Sequence, residues 1–172
     1  GTAKVILKNV VIDGPTYTIS CDQAGKQGLE AYNSTFNGWT SYAGTIGTAK
    51  FVGCSFGKGA GYNFSRPYAP TTYVNCTFEA GHKIDARAKV SFENCTFNGV
   101  GTQGIYINEE VSGAVYNIQN CTFNGDFGAE GAITIQGNKD VKHIVNVEGC
   151  TFNDIPSTRH KICLVPSTAG TY

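Results

Sequence analysis

The residues with chemistry to offer lie mostly near the middle of the chain. Arg66, Asp85 and Arg87 bring two cations and a carboxylate. Tyr106, Asn108 and Gln136 bring a phenol and two amides, and Trp39, Tyr42 and Tyr68 bring rings. Rings cover the apolar face of a sugar while amides and carboxylates bond its hydroxyls, so this is the inventory of a glycan-binding surface. The expected ligand-binding set is Trp39, Arg66, Tyr68, Asp85, Arg87, Tyr106, Asn108 and Gln136. For catalysis the pair to test is Asp85 with Arg66. Acidic side chains of neighbouring loops, Glu109, Glu110, Asp126, Glu130 and Asp140, add carboxyls. Glu109 or Glu110 with Asp126 or Asp140 supplies the two carboxyls that an inverting glycosidase needs. Calcium needs several converging oxygens, and Asp85 is the one carboxylate expected on the outer strand of the central coils.

These residues have to be positioned by a repeat. Asn94-Cys95-Thr96-Phe97-Asn98-Gly99 recurs without change as Asn120-Cys121-Thr122-Phe123-Asn124-Gly125. Looser copies sit at Asn9-Val10, Asn33-Ser34, Gly53-Cys54, Asn75-Cys76 and Gly149-Cys150. Successive Cys places are 24, 20, 22, 19, 26 and 29 residues apart. A repeat of this length is the mark of a solenoid. Before each Cys place, apolar residues alternate as in a strand with one buried face: Val5 and Leu7, Ala49 and Phe51, Val90 and Phe92. Next comes Asn or Gly, both tolerant of left-handed backbone, so the chain bends there. After the bend the Cys place and the place two residues on point inward. The second of these places holds Phe36, Phe56, Phe78, Phe97, Phe123 and Phe152, which stack into an aromatic column.

A further β-prone run follows in each unit, as in Tyr17-Thr18-Ile19-Ser20, Ile105-Tyr106-Ile107 and Ile133-Thr134-Ile135. Its alternation is read as placing Ser65, Asp85, Arg87, Tyr106, Asn108, Thr134 and Gln136 outward, with Arg66 at the edge. The expected fold is all-β, a right-handed parallel β-helix of about seven coils.

The chain has seven cysteines. Cys54, Cys76, Cys95, Cys121 and Cys150 share a place that Val10 and Ser34 also fill, so the place calls for a small buried side chain rather than a disulfide. No CxxC or histidine pair marks a zinc site. His82, His143 and His160 fall between units and read as surface residues. The sequons at Asn33, Asn75, Asn94 and Asn120 arise from the repeat, whose asparagines are committed to the turn. The single outward threonine column (Thr35, Thr77, Thr96, Thr122, Thr151) lacks the paired regularity of ice-binding solenoids. No cofactor is expected.

The asparagine ladder of Asn9, Asn33, Asn75, Asn94 and Asn120, expected to be internal like the Cys and Phe columns, and the phrase Asn-Cys-Thr-Phe-Asn-Gly resemble the right-handed β-helix superfamily with the pectin-lyase-like fold. The resemblance runs from Val5 to about Leu164. Bacterial surface proteins, polysaccharide lyases, pectin esterases and phage tailspikes share that fold, so it speaks for architecture and leaves activity open. Arg66-Pro67-Tyr68 is similar to the Arg-Pro-aromatic phrase of pectin methylesterases. Those enzymes carry two aspartates and a glutamine on coils before the arginine, whereas Asp85 follows Arg66.

The formal net charge is zero, from 13 basic and 13 acidic residues, and this argues against a nucleic-acid surface. No apolar run is long enough to cross a membrane as a helix. The chain reads as one domain, residues 1–172, with a solenoid core over 5–165 and a linker-like tail over 166–172. It is expected to be a module of a longer protein, flanked by other domains. The functional expectation is a non-catalytic module of a secreted or surface-anchored bacterial protein, adhesin-like, extracellular or at the cell surface. Its partner would be a glycan or host-surface ligand along the outer face. A pectin-lyase-like polysaccharide enzyme and a phage tailspike fragment are the alternatives.

Overall fold

The computed structural model describes residues 3–20, 27–42, 46–59, 63–79, 81–108, 113–137 and 142–166. Among them there is no helix, and every strand pair is parallel. The fold is an all-β parallel β-helix.

One sheet has seven strands in chain order: Lys4–Lys8, Gln27–Tyr32, Ile46–Val52, Thr71–Val74, Val90–Glu93, Val115–Gln119 and Ile144–Glu148. The other sheet has twelve strands and two arms that meet at the long strand Thr35–Tyr42. One arm carries the short strands that follow each bend, such as Thr96–Val100 and Thr122–Asp126. The other carries Phe64–Pro67, Lys83–Ala86, Ile105–Ile107, Ile133–Gly137 and Ile162–Pro166.

The bends explain why only Asn or Gly precedes the Cys place. Asn9, Asn33, Asn75, Asn94 and Asn120 have φ between 48° and 55°, and Gly53 and Gly149 have φ of 63°. A left-handed residue turns the chain at little cost only if its side chain is absent or is the short amide of Asn. These asparagines are exposed at the corner. That corrects the expectation of an internal ladder: the amides line an outer edge, because the positive φ turns each Cα away from the core.

Between the sheets lie the rings. Phe56, Phe78, Phe97 and Phe123 stack at centroid separations of 4.9, 4.6 and 4.7 Å with nearly parallel planes, and none is more than 1% exposed. Tyr73 and Phe92 of the seven-stranded sheet stack at 5.1 Å and meet the same rings edge-on. Cys54, Cys76, Cys95 and Cys121 are free thiols buried beside them, while Cys150 is half-buried. Each thiol donates to a backbone carbonyl two residues before it, as Cys95 does to Glu93 at 3.4 Å. Ser34 makes the same bond to Tyr32, at 2.8 Å, and accepts one from the Val10 amide. This explains why Ser replaces Cys at that place.

Candidate functional site

The site is built on the arm that holds Phe64–Pro67, Lys83–Ala86, Ile105–Ile107 and Ile133–Gly137. Register decides which side chains it presents. Thr40 pairs with Ser65, Ser65 with Ile84, Ile84 with Ile105, and Ile105 with Ile133. These isoleucines are fully buried, so the whole row faces the core. Ser65 is therefore inward, a correction to its expected outward place. A strand shifted by one residue exchanges its two faces, and nothing within Phe64–Pro67 alone reveals the phase.

With Ser65 inward, Phe64 and Arg66 are outward. Three outer rows result. The first holds Tyr17, Trp39, Phe64 and Lys83, the second Arg66, Asp85, Tyr106 and Thr134, and the third Tyr68, Arg87, Asn108 and Gln136. Tyr17, Phe64 and Lys83 were not among the expected site residues. The signal that reveals them is the alternation from Arg66 back to Phe64 once the strand's phase is known.

Aromatic contacts run along the first row. Tyr17 stacks on Trp39 with centroids 4.5 Å apart, and Trp39 meets Phe64 at 4.4 Å. Arg66 lays its guanidinium 5.4 Å from the Trp39 ring and 4.9 Å from that of Phe64, closing the edge of the stack. Its Nε donates to Asp85 Oδ2 at 2.8 Å, and Arg87 Nε donates to the same oxygen at 3.2 Å. Arg87 in turn lies 5.5 Å from the Tyr68 ring. Tyr106 donates its hydroxyl to Gln136 Oε1 at 2.5 Å, and Lys83 Nζ sits 4.7 Å from the Tyr106 ring. Burial lowers the Lys83 pKa, and the field of Asp85 opposes that effect. Rings, two guanidiniums, an ammonium, a phenol and an amide thus share one surface.

Several of these groups are less open than expected. Asp85 is 5% exposed, Gln136 6%, Asn108 9% and Thr134 0%. The two arginines cover Asp85, and its Oδ1 is buried without a hydrogen-bond partner among the described residues. Thr134 turns its hydroxyl to the Glu130 carbonyl. The openly presented groups are the rings, Arg66, Arg87 and Tyr106.

Asp126 is ion-paired with Arg159 at 3.3 Å and accepts the Gly128 amide, which makes it a loop brace. Glu130 is exposed. Glu109, Glu110, Asp140 and the side chain of Tyr42 lie outside the described residues. Among the described residues no group of three or more His, Cys, Asp or Glu side chains converges on a metal site.

The histidines also differ from expectation. His82 is interior: Nε2 is 2.9 Å from Ser65 Oγ, and Nδ1 faces the Gly57 carbonyl and Asn63 Oδ1. Burial lowers its pKa to about 4. Ser65 also meets Thr40 in a short hydroxyl contact. The Ser–His pairing has the outline of a nucleophile and base, but Ser65 is fully buried and no substrate reaches it. It is a core polar network. His143 is half-buried and its pKa is lowered by burial; His160 is exposed.

No family model matches the chain, and no curated protein matches it. Among solved structures, it is similar to a trypsin-treated variant of QnrB1, a plasmid-mediated fluoroquinolone resistance protein. The TM-score is 0.36 at 15% identity, over 95% of this chain and 79% of that one. A likeness of that size carries no argument about function.

Proposed function

We propose that this chain is a non-catalytic glycan-binding module, in the manner of the adhesin-like β-helices of bacterial surface proteins. It works outside the cell or at its surface. In this reading the fold is a right-handed, pectin-lyase-like β-helix of about seven coils, with the Cys and Phe columns inside. The observation that supports it is the outward row Tyr17–Trp39–Phe64, edged by Arg66. Rings stacked on one another along a rigid parallel sheet present a continuous apolar ridge of ring edges, against which the apolar faces of sugar rings can pack. Their positions are held by strand register, so little ordering cost falls on binding. Arg66 and Arg87 beside the row supply donors for hydroxyls, and the Tyr106 oxygen, whose proton goes to Gln136, supplies an acceptor. Tyr68, Asn108 and Gln136 complete the polar margin.

The enzyme reading rests on Asp85 with Arg66. Asp85 Oδ2 already accepts from both arginines. Asp85 acts here as the brace that holds two guanidiniums at one spacing, a positioning role.

The test is a glycan array probed with the purified chain, with reducing-end release assayed on the same polysaccharides. Saturable binding without product supports the module. Product release that disappears in Asp85→Asn and Arg66→Ala would replace it with the enzyme. Silence in both leaves a spacer whose job is length and stiffness.

A further inference from the structure

The cysteine column inside the solenoid takes no part in the chemistry of the outer face. Cys54, Cys76, Cys95, Cys121 and Cys150 stand on successive coils, because the residues that follow them pair in register from Ser55 through Thr77, Thr96 and Thr122 to Thr151. All five are free thiols, and the first four are at most 2% exposed. Each thiol is in hydrogen-bond contact with the next along the column. Backbone carbonyls of two coils flank the Cys76 sulfur, Val74 at 3.4 Å and Phe51 at 3.6 Å.

The pitch of the solenoid sets what such a column can hold. The phenylalanine rings beside it repeat at 4.9, 4.6 and 4.7 Å. Cysteines in the same register repeat at the same pitch. This spacing is long for a disulfide, whose Cβ atoms lie about 3.5–4.5 Å apart. It suits a metal ion placed in line between two sulfurs. The thiolate bond of the d10 ion zinc is about 2.3 Å, so two such bonds in line span about 4.6 Å. Among the described residues no three ligating side chains converge on one point, as a tetrahedral ion requires. The column offers two sulfurs per ion instead. Two-coordination in line is the habit of soft monovalent d10 ions, and thiols in an apolar interior select these over hard, hydrated ions.

We infer that the cysteine column binds soft monovalent d10 ions, Cu(I) or Ag(I), each held in line between the sulfurs of neighbouring coils. On binding, an ion bonds two sulfurs and one thiol proton leaves to solvent. Four ions between the five sulfurs release four protons and leave the fifth in place, so the dry core gains no net charge. Cys150 is half-buried and is the point of entry. At the other end Ser34 follows Cys54 in register, and its hydroxyl is a poor ligand for a soft ion, which closes the column there. This site stands independently of the ring platform, and neither needs the other.

The experiment is titration of the reduced full chain with Ag(I) in chloride-free buffer, followed by thiolate-to-metal absorption in the near ultraviolet and by equilibrium dialysis, then repeated with Cu(I) without oxygen. Two double variants separate adjacency from thiol number, since each keeps five of the seven cysteines. C76S/C121S leaves no neighbouring pair in the column, whereas C54S/C150S leaves Cys76, Cys95 and Cys121 together. Serine already fills this place at Ser34 and donates to the Tyr32 carbonyl there, so both variants should keep the far-UV circular dichroism of the parent. The parent has four neighbouring pairs, C54S/C150S two and C76S/C121S none, and ion uptake should fall in that order. X-ray absorption of the Ag(I)-loaded parent should give two sulfur neighbours per ion, and this decides the geometry even where a variant fails to fold. The inference is overturned if the two variants take up ions equally, if each ion has three or more sulfur neighbours, if Zn(II) displaces Ag(I), or if uptake appears only as the β-sheet signal is lost.

Discussion

Ser65 Oγ lies 2.9 Å from His82 Nε2 in the interior of the solenoid, although the pattern along the chain puts both residues at the surface. The imidazole is neutral there, because burial disfavours its charged form.

This neutrality makes stability depend on pH. The folded-state pKa of His82 is about 4 against an ordinary value of 6.5, so below pH 6.5 the unfolded chain takes up a proton that the folded chain refuses. The contribution is fully present above about pH 6.5 and is lost as pH falls towards 4. It amounts to about 3 kcal/mol if nothing else titrates. Urea midpoints measured across that window should fall for the parent chain and fall less for His82→Gln. Equal slopes for the two would show that His82 is not the group responsible.

Asp85 holds two guanidiniums that are 28% and 23% exposed, while it is itself almost fully covered. Asp85→Asn keeps the shape and removes the charge. It should destabilise by about 1–3 kcal/mol, below the cost for a fully buried pair because water still reaches both arginines. Glycan affinity should fall with it, since Arg66 and Arg87 lose their common anchor. A variant as stable as the parent, with the same affinity, would remove the bracing role.

The bend residues allow a backbone test. Asn94 has φ of 53°. Asn94→Gly should change the melting temperature little, whereas Asn94→Ala should cost about 1 kcal/mol, since a plain Cβ is strained in left-handed backbone. If alanine is tolerated as well as glycine, the bend is not set by its dihedral.

Trp39 tests the platform. Trp39→Ala removes the middle ring of Tyr17–Trp39–Phe64, and glycan binding should drop to the limit of detection, while Trp39→Phe retains part of it. Because the ring is half-buried, thermal unfolding should be followed alongside. Undiminished binding by a folded Trp39→Ala protein would move the ligand elsewhere.

The repeat itself, and the residues that bend and fill it, were legible from the chain alone. The Asn or Gly before each Cys place, the small residue at that place and the Phe two residues later answer local demands. These are a left-handed dihedral, a small buried side chain and a ring against its own copy one turn away. Such demands recur from unit to unit, with Ile12 in place of the Phe in the first, so the pattern writes them many times over. The candidate surface was legible only in part: Trp39, Arg66, Arg87 and Tyr106 do lie on the outer face, whereas the inward Ser65, the interior His82 and the burial of Asp85 had no signal in the chain.

Those features follow from pairing between strands. Ser65 faces inward because it sits beside Ile84, and one residue of slip would have exchanged it with Arg66. Asp85 is covered because the arginine of the preceding strand and the one two residues on both reach its carboxylate. Phe64 joins the ring row because its strand enters in that phase. Local propensity and repeat spacing thus decide the parallel solenoid, while the phase of each short, irregular strand, and with it the chemistry of the outer face, is decided only when the coils stack.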